Sequence, residues 1–320
     1  MGLRMIVRVV DLETTGKDTS TAEVVEVACC DIDMRFLPLT VNSPGRSTLV
    51  KPSQPIPASA SAVHHITNAD VRKAPAWVDA WPILLDSDGS LGDVIFAAHV
   101  ASYEQHWIGR VLKAARWICT WKCSLRQWPG LESYSLQALR YELRLQVDPE
   151  RASPPHRALP DSYVCGLLLI ELLGHQTVET LLSWSAEPAV FHTFDFGQFK
   201  GKPWSAADDG YLDWIANKEH TLGEDWRWNA RREINRRAAE KEAVAAAARR
   251  EFVVRATSAL ARAATVRDLE NWYHGQSSAM AEIGIVVTTE EYDDIIRACA
   301  ARKAELLAGG EPDFGEAPRS

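Results

Sequence analysis

Residues 9–13, Val9-Val10-Asp11-Leu12-Glu13, set two carboxylates two residues apart at the end of an apolar run. Strand side chains alternate between faces, so Asp11 and Glu13 point the same way and repel each other. A positive charge between them would relieve that repulsion. Two more acids and two histidines are similarly placed. His99 ends the apolar run VIFAAHV, Glu104 follows five residues later, and SPPHRALPD carries His156 five residues before Asp161. Pro160 fits the first turn of a helix, where its missing N–H costs nothing. His156 is therefore expected in the loop before that helix and Asp161 near its start. Taken singly, an Asp-x-Glu at a strand end is more often a solvated turn pair, and His156 a surface histidine.

The elements that must position these groups follow from periodicity. MIVRVVD, AEVVEVACCDID and STLVKP read as three successive strands, and GDVIFAAHV as a fourth, buried one. SYEQHWIGRVLKAA has helical spacing, WICTW is short and strand-like, and SYSLQALRYEL and DSYVCGLLLIELLGH are helices, the last apolar nearly all round. A mixed α/β sheet flanked by helices is the predicted frame. Beyond Gly174, TVETLLSWSA reads as a helix, and the segment FHTFDFGQFKGKPWSAADDGYLDWIANKEH as a small hairpin and a short helix. An Ala/Arg/Glu-rich run and two helices opening on threonine complete the chain.

A chain of 320 residues with 46% hydrophobic content can bury a sizeable core. No run approaches the roughly 18 apolar residues of a membrane span. The six scattered cysteines read as buried thiols, so a cytoplasmic location is expected. The net charge of −8 alone argues against a nucleic-acid partner. Its distribution does not. Residues 226–262 hold ten Lys/Arg against four Glu, a net of +6, leaving −14 on the rest.

DLETTG, VHHITNADV, AHVASYEQ and HRALPD, in that order over roughly the first 175 residues, resemble the DEDDh 3′–5′ exonuclease superfamily. This is a ribonuclease H-like group that includes polymerase proofreading subunits and exodeoxyribonuclease X-type enzymes. The resemblance implies two Mg2+ or Mn2+ ions held by Asp11, Glu13, Glu104 and Asp161, with Asp11 bridging and His156 as general base. Leu12, Thr14, Thr15, Gly16, His64, Ile66 and His99 would meet the terminal nucleotide, although His99 reads first as capping its strand, packing beneath the site or orienting the Glu104 loop, and Ile66 reads equally as a core plug. The sequence departs from the family at Val100, usually Asn, at Glu104, usually Asp, and at His65, usually Gly, a change that disfavours a left-handed backbone.

The segment FGQFKGKPWSAADDGYLDWIANK resembles the small C-terminal module of exodeoxyribonuclease X-type nucleases. Lys200 and Lys202 among Phe199, Trp204 and Tyr211 suit phosphate contact with base stacking, or else the aromatics form a mini-core. The Arg-rich run could follow a nucleic-acid backbone, or be a solvated helix with i,i+4 charge pairs. The expected organisation is an exonuclease domain (1–175), a small α+β module (186–220), an Arg/Ala-rich helical region (221–310) and a disordered tail (311–320). The expected activity is removal of 5′-mononucleotides from single-stranded or frayed DNA 3′ ends in repair, recombination or proofreading. Its rivals are a 3′–5′ exoribonuclease and a catalytically weakened nucleic-acid-binding adaptor. The C-terminal helices are a candidate surface for a protein partner, and no membrane partner is expected.

Overall fold

A computed structural model describes residues 5–42, 44–112, 116–219 and 221–309. The tail expected at 311–320 lies outside the described residues. Five strands, β1 (Ile6–Thr14), β2 (Val24–Asp33), β3 (Arg46–Leu49), β4 (Val94–Ala98) and β5 (Arg116–Cys119), form a sheet of order β3-β2-β1-β4-β5. β1–β2 and β2–β3 are antiparallel, as expected of a meander, whereas β1–β4 and β4–β5 are parallel. The result is a ribonuclease H-like mixed sheet. Its centre is apolar on both faces because helices cover both sides.

Eleven α-helices are described, beside five short 3-10 or π turns: α1 (Ala58–His64), α2 (Trp77–Ala80), α3 (Ala101–Ile108), α4 (Thr120–Gln127), α5 (Leu136–Glu142), α6 (Ala158–His175), α7 (Val178–Ala186), α8 (Asp209–Asp213), α9 (Glu224–Ala261), α10 (Val266–Glu282) and α11 (Glu290–Ala308). β1 alternates as its sequence predicts. Val7 and Val9 pack with Leu168, Leu169 and Leu172 of α6, while Ile6, Val10 and Leu12 join Phe96, Trp107 and Leu84 on the other face. α6 lies on β1 and β2 with α4 and α5 beside it, which accounts for its apolar circumference. Arg8 breaks the pattern: it is 1% exposed and donates to Asp31 Oδ1 (2.7 Å), Asp31 Oδ2 (2.8 Å) and Asp86 Oδ1 (2.7 Å).

The chain divides into two compact units, residues 1–208 with 215–229, and 209–214 with 230–320. Within the first, the hairpin expected near residue 194 reduces to two isolated bridges, Thr193 with Pro203 and Phe194 with Lys200. Phe194 is buried there against Trp204, ring centroids 4.3 Å apart. The start of α9 pins this segment: Asp225 accepts from Ala189 N at 2.9 Å, and Asn229 accepts from Phe191 N at 3.0 Å.

In the second unit, Phe252, Leu260, Leu269, Met280, Ile285 and Ile295 form a core shared by the three long helices. Thr265 and Thr289 cap α10 and α11, as their positions predict. Many charges on α9 pair locally, Arg236 and Arg237 with Glu233 and Arg249 with Glu242. That favours the solvated-helix reading of the run. Among the described residues no single helix is long and apolar enough to cross a membrane.

Candidate active site

β1 delivers Asp11 and Glu13 to the face that carries α6, beyond Val9 where the apolar run stops. α6 starts at Ala158 and brings Asp161 to the same point in its first turn. Carboxylate oxygens of Asp11, Glu13 and Asp161 all lie within 4.8 Å of one another. Burial raises the Asp11 carboxyl well above the usual carboxylate range, and the charges of Glu13, Asp161 and Glu104 push the same way. Burial likewise raises Glu13 and Asp161. Folding has therefore crowded three acids together, with only Arg157 easing the charge on Glu13.

Glu104 approaches from α3. It is 5% exposed, its Oε2 has no hydrogen-bond partner, and burial pushes its pKa up to about 8. It lines the same cleft as the three acids, a cavity of about 650 Å³ that also takes in Leu12, Lys17, Tyr103 and His156. An orphaned buried carboxylate facing three others is a donor set suited to hard divalent cations.

His156 is exposed on the loop before α6, with φ of +59°, and lines the cleft. Its backbone N–H donates to Asp161 Oδ2 at 2.8 Å, while Gln137 Nε2 donates to Asp161 Oδ1 at 2.7 Å. One oxygen of Asp161 thus fixes the loop and the other is oriented from α5. Gln137 has no sequence signal beyond its helix.

Glu26 also escapes a reading of motifs. It stands opposite Glu13 in the β1–β2 register and is 4% exposed. Arg157 donates to both its oxygens, at 2.9 and 2.7 Å, and the Ala158 N–H at the start of α6 donates to it at 3.0 Å. A carboxylate is favourable at a helix N-terminus.

The remaining predicted contacts separate. The turn after β1 is tied internally: Thr14 Oγ1 donates to Gly16 O at 2.8 Å, Thr15 Oγ1 accepts from Glu23 N at 2.9 Å, and the Tyr103 hydroxyl donates to Gly16 O at 2.9 Å. Both ring nitrogens of His99 are occupied, Nδ1 by Thr120 Oγ1 (3.0 Å) and Nε2 by Tyr134 O (2.8 Å). Burial lowers its pKa to about 4. His99 is thus a neutral wall of the cleft. His64 Nδ1 accepts from Ile66 N at 3.0 Å, and Ile66 packs with Val25, Ile56 and Val71, so Ile66 is the core plug. His65 adopts φ of +60° to close α1 despite its Cβ. Val100 is 42% exposed on the rim. Lys200 and Lys202 are exposed on the small module, and neither lines this cleft.

A sequence model of the family described as Exonuclease matches residues 9–169, half of the chain and the span that carries all these acids. Exodeoxyribonuclease 10 of Escherichia coli (strain K12) is 33% identical over 228 residues, covering 69% of this chain and 96% of that protein. The chain belongs to the DEDDh 3′–5′ exonuclease family. Because only eight residues precede the family match, the likeness of this exonuclease to exodeoxyribonuclease 10 extends past residue 169 into the small module. The DNA polymerase III subunit epsilon of Aquifex aeolicus is 27% identical over 172 residues, 52% of this chain and 79% of that one. A solved structure of exonuclease X in complex with 5′ overhanging duplex DNA is 32% identical, with a TM-score of 0.45, covering 56% of this chain and 99% of that chain.

Proposed function

We propose that this exonuclease hydrolyses the terminal phosphodiester at DNA 3′ ends, single-stranded or frayed, and releases 5′-mononucleotides in repair, recombination or proofreading. The observation that carries this reading is the triad of Asp11, Glu13 and Asp161 oxygens within 4.8 Å, with the unpartnered Oε2 of Glu104 lining the same cleft. Those four residues would hold two divalent cations, Mg2+ or Mn2+. Ions so held would stabilise charge on the attacking and leaving oxygens of a phosphodiester.

The protein supplies the rest. His156 accepts the proton of the attacking water at its imidazole, and its exposed loop lets that proton pass on to solvent. Gln137 and the His156 N–H keep Asp161 oriented. Leu12, Val100 and Tyr103 form walls against which the terminal nucleotide lies. Glu104, one methylene longer than the family's Asp, would reach the ions from α3 through its longer side chain. DNA is favoured over RNA because two relatives that resemble this chain are named as a deoxyribonuclease, exodeoxyribonuclease 10, and as a DNA polymerase subunit, the DNA polymerase III subunit epsilon.

Strands of matched sequence in DNA and RNA, labelled at the 3′ end, test the reading. Release of labelled mononucleotide from DNA in Mg2+ or Mn2+, and none in EDTA, is expected. Preferential digestion of RNA would replace the substrate, and metal-dependent binding without cleavage would support the adaptor instead.

A further inference from the structure

A second cavity of about 640 Å³ shares His99, Val100, Ser135 and Leu136 with the acidic cleft, so the two adjoin at the start of α5. We infer that it receives unpaired bases of the substrate strand immediately upstream of the scissile phosphate, an inference that rests on the acidic cleft being the hydrolytic site. An enzyme that degrades from a 3′ end must let the rest of the strand leave that cleft, and this cavity adjoins it.

The far wall is aromatic. Trp121 of α4, Phe191 of the small module and Trp226 of α9 line it, with Phe191 4.3 Å from Trp226 and 6.1 Å from Trp121 between ring centroids. All three are only partly buried, although Trp226 also packs against Phe196 at 4.8 Å and Trp204 at 5.8 Å, whereas Phe194 and Trp204 are buried. This wall is a surface separate from Phe199, Trp204 and Tyr211, of which Trp204 is buried.

The wall is also held in place. Asn229 accepts from Phe191 N at 3.0 Å, and His192 Nε2 meets Leu125 O at 2.6 Å. Its charged lining is Glu132 and Asp195, with no Lys or Arg among the described residues. Phosphates are turned outward and bases inward, the sequence-tolerant mode in which each aromatic stack strengthens binding about tenfold. The small module thus completes a binding track that the exonuclease domain only begins.

An abasic-site scan along a ten-nucleotide strand of the better-cleaved sugar reads this directly, with p-nitrophenyl thymidine 5′-phosphate in Mn2+ as a substrate too short to reach the second cavity. The intact protein should lose about tenfold in kcat/KM when the missing base falls at one or two positions just upstream of the scissile bond. Phe191→Ala should flatten that profile and lower the strand-to-ester ratio of kcat/KM about tenfold. Ser133→Trp, at an exposed loop position that fills the cavity from the opposite side, should do the same without disturbing the aromatic packing. A flat scan in the intact protein, or equal losses on strand and ester in both variants, would overturn the inference. Failure of the intact protein to cleave either substrate with metal would overturn the reading of the acidic cleft, and the inference with it.

Discussion

Glu26 on β2 grips Arg157 through both carboxylate oxygens, at 2.7 and 2.9 Å, across 131 residues of sequence. The same carboxylate receives the Ala158 N–H, so one acid fixes the angle at which α6 presents Asp161 to β1. Arg157 also lowers the pKa of Glu13, offsetting part of the repulsion from Glu26.

Replacing Arg157→Ala should therefore act twice. Leaving Glu26 buried without its cation should destabilise the fold by about 2 kcal/mol, below the range for a fully buried pair because Arg157 retains water contact. Glu13 would hold its proton to higher pH, so the acid limb of the pH–rate profile should move up. Denaturant unfolding and a pH series of kcat/KM measure the two effects, and a lost fold with an unmoved limb would assign Arg157 a purely structural role.

The acid cluster also sets how stability depends on pH. Glu104 has its pKa raised from 4.5 to about 8, so the folded state binds its proton more tightly than the unfolded one. Stability from this group is complete below the unfolded value and is lost as pH rises toward 8. In EDTA the melting temperature should fall by at least about 5 °C between pH 5.5 and pH 8.5. Glu104→Gln should flatten that slope, and Mn2+ should reverse it, since ionised ligands favour metal. An unchanged slope in the glutamine variant would remove Glu104 from the cluster.

Gln137→Ala removes the donor to Asp161 Oδ1 while leaving every carboxylate in place. Outer contacts of this kind are worth about tenfold or more in metal affinity. A Mn2+ titration followed by activity should show the half-saturating concentration rising by about that factor with little change at saturation. An equal affinity would mean that the His156 N–H alone orients Asp161.

Asp31→Ala tests the sheet beneath the site. It takes both Asp31 contacts from the Arg8 guanidinium, which is 1% exposed and keeps Asp86 as its remaining acidic partner, and should cost about 2–3 kcal/mol, less than a fully unpaired buried charge. The double variant Arg8→Met, Asp31→Ala should recover much of that loss, because both charges leave together. Urea unfolding of the three proteins distinguishes an under-paired buried charge from a simple loss of packing.

The legibility of this chain follows contact range. Asp11 and Glu13 could be placed on one face because strand alternation is local, and Asp161 could be placed in the first turn of α6 because Pro160 marks it. His156 was fixed relative to Asp161 by spacing, although its φ of +59° and the N–H it gives Asp161 were not. Glu26, Arg157 and Gln137 were silent because their partners lie 24 to 131 residues away. The short helices α1, α2 and α4 carry too few turns for a periodic signal. His65 shows the limit of a residue rule: the φ > 0 that glycine adopts freely is kept by a histidine that closes α1.

The central claim is that Asp11, Glu13, Glu104 and Asp161 jointly hold the ions that hydrolysis requires. Electron paramagnetic resonance of free Mn2+ at pH 8, with a nucleoside 5′-monophosphate present, counts bound ions in the intact protein and in Asp11→Asn. The account predicts two ions bound by the intact protein and loss of both when the shared ligand is neutralised. Equal binding by the two proteins would contradict it.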